Sequence, residues 1–111
     1  MSSYRVTYSD FAGVRVVAGD GPISMSVEAI VALLDEILVE PGSFVSLTDE
    51  AGHMLQLLVD DDGALLVDFP SPRERGSYGG RITVDAVKRA LRTMDGELRR
   101  DAIGELAFER W

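Results

Sequence analysis

The chain predicts a two-layer α+β domain: a mainly antiparallel sheet with two helices, in the order β-β-α-β-β-β-α-β. Three observations lead there. Apolar residues recur with helical period in two segments, around VEAIVALLDEI and VDAVKRALRTM. Between them lie short apolar runs with strand-like alternation. Acid-rich turns ending in glycine join those runs at the spacing of tight hairpins. Helices gathered on one face of an antiparallel sheet are the stable layering for that order.

The elements follow in turn. Tyr4–Tyr8 and Val14–Ala18 are rich in β-branched residues and predict a hairpin closed at Gly13. Gly19, Asp20, Gly21 and Pro22 then make a loop. Ser26 is placed to cap a helix from Val27 to about Val39, with Val27, Ile30, Val31, Leu34, Ile37 and Leu38 on one stripe. Pro41 and Gly42 stop it. A meander of Ser43–Thr48, His53–Val59 and Ala64–Phe69 follows, turned by Asp49-Glu50-Ala51-Gly52 and Asp60-Asp61-Asp62-Gly63. Its expected helix-facing residues are Val45 and Leu47; Leu55, Leu57 and Val59; then Leu65, Val67 and Phe69. Pro70–Gly80 has the composition of a loop. Thr83 caps a second helix from Val84 to about Met94, with Val87, Ala90, Leu91 and Met94 inward. Lys88, Arg89 and Arg92 crowd its later turns, where the helix dipole favours cations. Glu97–Glu105 suits a helical extension or a loop, and Leu106–Trp111 a last strand. Trp111, the only tryptophan, is expected to pack that strand on the core, with an interface anchor as the alternative.

A length of 111 residues predicts one domain, 1–111, that buries about 65% of its unfolded surface. The composition, 46% hydrophobic and 27% charged, is that of a folded globular chain. No apolar window approaches the roughly 18 residues of a membrane span. The amino terminus lacks the pattern of a signal peptide. Zero cysteines exclude disulfides and thiolate metal sites, in keeping with a reducing cytoplasm.

Charge is distributed unevenly. Residues 1–69 hold twelve acids against Arg5 and Arg15, whereas residues 70–111 hold seven acids against nine Lys and Arg. The net −8 repels phosphate backbones and anionic membranes, so neither nucleic acid nor a membrane is the expected partner. A cationic protein surface is the natural complement.

Residues with catalytic potential are sparse. His53 is the only histidine, and without a nucleophile and an orienting acid around it an exposed, inert ring is expected. Anchoring a calcium loop on Gly63 puts Leu58 and Phe69 at two ligand positions, which excludes an EF-hand. Gly76, Gly79 and Gly80 match neither a phosphate loop nor a dinucleotide fingerprint. The expectation is therefore no catalytic residues, no metal and no cofactor. Arg73, Arg75 and Tyr78, in the expected 70–80 loop, are secondary interface candidates.

The acids offer more. Alternate turns of a meander lie at opposite ends, so the end of the first helix and the Asp60–Gly63 turn should share one end of the sheet. Asp35, Glu36, Glu40, Asp60, Asp61 and Asp62 would then form one acidic pole that steers a basic partner. Glu36 and Glu40 face the negative end of the helix dipole and form a like-charge i, i+4 pair. Such breaches of local rules accompany function.

Together, VEAIVALLDEI, the run FVSLTDEAGHMLQLLVDDDGALLVDF, a glycine-bearing segment with Ser77 and Tyr78, VDAVKRALRTM and a last strand with Phe108 and Trp111 resemble a known layout. It is that of the small immunity proteins of bacterial polymorphic toxin systems, in the family that neutralises deaminase-type toxins. The resemblance covers the chain from Val27 onward. It departs at Glu97–Glu105, longer than the linker expected before the family's terminal tryptophan, which leaves the carry-over to Trp111 open. What it implies is a non-catalytic inhibitor that covers the active site of one cognate toxin. The expected function is thus neutralisation of a basic, nucleic-acid-targeting toxin through the acidic pole. The alternatives are a self-associating adaptor, dimeric through an exposed strand, and a small-molecule-binding domain using a cleft near Tyr78 and His53.

Overall fold

Strand β1 (Ser3–Ser9) organises one side of the sheet, because it pairs on both edges. On one edge it takes β2 (Val16–Val17) at Tyr8 and Ser9, and β3 (Ile23–Ser26) along Ser3–Val6. On the other it takes β4 (Phe44–Thr48), which leads through β5 (Met54–Val59), β6 (Leu65–Ser71) and β7 (Gly76–Ile82) to β8 (Ala107–Arg110). Every pairing is antiparallel. The computed structural model describes residues 3–10, 16–17, 21–94 and 96–111. The expected turn at Gly13, and Val14, Arg15, Ala18, Gly19 and Asp20 beside it, lie outside the described residues.

Helices α1 (Val27–Ile37) and α2 (Val84–Met94) and the single turn α3 (Arg100–Ile103) complete the α+β fold. Ser26 Oγ accepts the Ala29 amide at 3.2 Å, and Thr83 Oγ1 accepts that of Ala86 at 3.1 Å, so both expected caps form. The α2 stripe is buried as predicted; on α1, Ile30, Val31, Leu34 and Ile37 are joined by Leu33. All eight meander residues expected to face the helices are buried, with Tyr4 and Val6 beside them. Among the described residues, no helix residue lines the hollows over the sheet's other face.

Both meander turns have one construction. In each, an aspartate Oδ1 accepts the amide four residues on, His53 for Asp49 and Ala64 for Asp60, and glycine adopts positive φ. Gly52 and Gly63 sit at φ 91° and 84°, where a side chain strains the backbone.

Four expectations change. α1 closes at Ile37, where the Leu38 amide bonds Leu34, so Glu40 lies beyond the helix and forms no helical i, i+4 pair with Glu36. Ile23–Ser26 is a strand, because β1 supplies its ladder. Pro70–Gly80 is largely strand: β6 runs on to Ser71, one 3-10 turn spans Pro72–Glu74, left-handed Arg75 reverses the chain, and β7 follows. Its glycine at 76 serves packing, since a Cβ there would meet the Phe108 ring and the Glu109 carbonyl at 2.5 Å. Trp111 is not in the core; it is 68% exposed, held by its amide to the Arg75 carbonyl at 2.9 Å.

Candidate functional site

The chain leaving α1 and the β5–β6 turn meet at one end of the sheet. The Gly42 amide donates to the Val59 carbonyl at 2.8 Å, and the Val59 amide donates back to Ser43 at 3.0 Å. Ser43 in turn donates to the Glu40 carbonyl at 3.1 Å, closing a tight turn. These bonds fasten the end of the turn that follows α1, at Gly42 and Ser43, to Val59, the residue before Asp60. Glu40, Asp61 and Asp62 are exposed, as is Glu36 in the last turn of α1.

The six acids divide by what they touch. Asp60 is half-buried, and its Oδ1 accepts the amides of Asp62 at 3.0 Å and Ala64 at 2.9 Å, so it shapes the turn. Asp35 is paired with Lys88 Nζ of α2 at 2.6 Å. Glu28 and Arg92 form a second bridge between the same helices at 3.2 Å. The cations of α2 therefore answer α1 as well as their own dipole, and Asp35 contributes little field at the tip. Val39, 66% exposed beside Glu40, adds an apolar group that the charge pattern gave no reason to notice.

At the opposite end of the meander, Asp49 is 1% exposed. Its Oδ1 accepts the His53 amide at 2.8 Å; its Oδ2 accepts the Leu98 amide at 2.9 Å and meets His53 Nδ1 at 2.9 Å. Burial pushes this carboxyl up, but the Leu98 amide, the His53 ring and amide, and the charge on that ring outweigh it, leaving it below the ordinary aspartate range. This residue escaped sequence reasoning. Asp49-x-x-Gly52-His53 looks like its twin at Asp60; the ring of His53, where the twin has Ala64, and the amide of Leu98, from the segment after α2, tell them apart.

Next to it, Arg73 and Arg75 are exposed, while Tyr78 is engaged. Its hydroxyl donates to Glu74 Oε1 at 2.9 Å, its ring lies 5.0 Å from that of Phe108, and the Arg100 guanidinium stacks 3.7 Å above it. Hydrogen bonds from Ser71 and Tyr78, with the Arg100 charge, hold the Glu74 carboxyl below the usual glutamate range. His53, Phe69, Glu74, Tyr78 and Arg100 line a cleft of about 660 Å³. His53 and Tyr78 do share a cleft, then, but among the described residues the only hydrogen-bond partner of the ring is Asp49. A histidine oriented by a buried carboxylate is two-thirds of a nucleophilic triad; among the described residues no hydroxyl is hydrogen-bonded to the ring to complete it.

No described helix is long and apolar enough to cross a membrane. No protein family, curated protein or solved structure matches the chain.

Proposed function

We propose that the protein is a non-catalytic cytoplasmic binding domain that neutralises a basic, nucleic-acid-targeting toxin of deaminase or nuclease type. It does so by laying its acidic tip over the toxin's active site. The observation that carries this reading is the backbone coupling of Gly42 to Val59, which draws two acidic turns distant in sequence to one end of the sheet. Glu36, Glu40, Asp61 and Asp62 supply the steering field, Asp60 holds their turn, and Val39 offers an apolar contact among them. A toxin that grips nucleic acid needs a cationic cleft, and a rigid anionic tip is its complement.

The test pairs the protein with a toxin-like carboxy-terminal domain encoded beside its gene, at low and high salt. A stable complex is expected, with Glu40→Gln/Asp61→Asn/Asp62→Asn slowing association about tenfold and leaving the melting temperature unchanged. Equal binding by wild type and the triple variant at low salt, or docking through the Asp49 end, would overturn the reading.

A further inference from the structure

The helix-free face of the sheet is ruled by its register into three rows that cross six strands. The row next to the acidic tip runs Phe44, Leu58, Leu66 and Arg81 from β4 to β7. The middle row includes Gln56 on β5 beside Asp68 on β6. The far row begins with Arg5 on β1 and ends with Glu109 on β8. Phe44 and Leu58 are 38% and 42% exposed on this face, and a groove of about 530 Å³ lies over them. Among the described strand residues of this face the charged side chains are Arg5 and Arg81 with Asp68 and Glu109, which cancel, in a chain whose net charge is −8. A second copy of this acidic chain therefore meets no net charge on the strands of this face.

We propose that this face pairs with a second copy of the chain about a twofold axis parallel to the strands, between β5 and β6. Sheets stacked in this way lie about 10 Å apart with their strands nearly aligned. The axis exchanges β1 with β8, β4 with β7 and β5 with β6, and what then faces what is complementary along every row. Arg5 meets Glu109 of the partner subunit, twice by symmetry. Phe44 meets Arg81 of the partner subunit, a guanidinium over an aromatic ring. Leu58 meets the partner's Leu66, and Gln56 meets the partner's Asp68. A twofold perpendicular to the strands does worse, because it sets Asp68 against itself. This axis sets the two Asp60–Gly63 turns at the same end of the dimer, roughly one sheet spacing of ~10 Å apart, where salt screens their repulsion over about 8 Å.

This inference uses a different surface from the toxin-binding tip and stands or falls separately. Light scattering and sedimentation of the full chain at about 100 μM should give a mass twice the 12.1 kDa of the chain. Leu58→Ser, an exposed position, should raise the dimer dissociation constant at least about tenfold with the melting temperature retained. Arg5→Glu and Glu109→Arg should each weaken the dimer about fivefold, and the double variant should return it to within about twofold of wild type. A monomer at that concentration would overturn the proposal. So would a dimer indifferent to Leu58→Ser, which would point to edge pairing, or a charge swap that does not restore association.

Discussion

The carboxylate of Asp49 and the amide of Leu98, 49 residues apart in the chain, are joined by a 2.9 Å hydrogen bond inside the protein. That bond ties the β4–β5 turn to the segment that follows α2. Tyr4 reinforces the same join, its hydroxyl accepting the Gly96 amide at 2.9 Å. The connection between α2 and β8 is thus held to the sheet by two polar bonds as well as by the buried side chains of Leu98 and Ile103.

Replacing Asp49 by Ala strands the Leu98 and His53 amides at once. The expected loss is roughly 2–4 kcal/mol of stability, measured by urea unfolding. A loss no larger than that of an exposed-residue control such as Glu50→Ala would reject the hub.

Acid should weaken the protein through the same carboxyl. Its native pKa lies below the unfolded value, so the unfolded chain takes up the proton first as pH falls. The stabilisation is complete above about pH 5 and is lost as pH drops through the unfolded value towards the lowered native one. Urea midpoints for wild type should therefore fall more steeply between about pH 5 and 2.5 than those of Asp49→Asn; parallel curves would count against it.

Gly76→Ala should loosen β8, because the added methyl meets both the Phe108 ring and the Glu109 carbonyl at 2.5 Å. A cost of about 1–3 kcal/mol is expected, with faster amide exchange across Ala107–Arg110 than across β5. Uniform exchange changes would contradict a local cause.

The two halves of the acidic turn should separate by stability. Asp60→Ala removes the acceptor for two amides and should cost about 1 kcal/mol, whereas Asp61→Ala should stay within about 0.5 kcal/mol in thermal melts. Similar melting temperatures for the two variants would mean that Asp60 does not shape the turn.

Asp35 belongs with the helices. Asp35→Asn breaks an ion pair in which Lys88 is mostly covered and Asp35 mostly exposed, for a cost of about 0.5 kcal/mol. Toxin association at low salt should change far less than with the tip variant. An equal effect would return Asp35 to the docking surface.

Local pattern alone determined much of this protein. The stripes of α1 and α2, their Ser26 and Thr83 caps, the three-stranded meander and its buried face are each written in contiguous residues, because periodicity and turn chemistry act over a few positions. Residues distant in sequence decided the rest. Gly76–Ile82 becomes a strand because β6 and β8 offer ladders on both sides and the bare glycine admits the Phe108 ring. Asp49 and Asp60 begin matching turns, yet one is sealed by Leu98 and the other stands near water. Asp35 is withdrawn from the acidic tip by Lys88, and Trp111 stays outside the core. Burial, charge pairing and strand partnership are relations between segments, and a carboxylate cannot carry in its own neighbours which amide or ammonium will reach it.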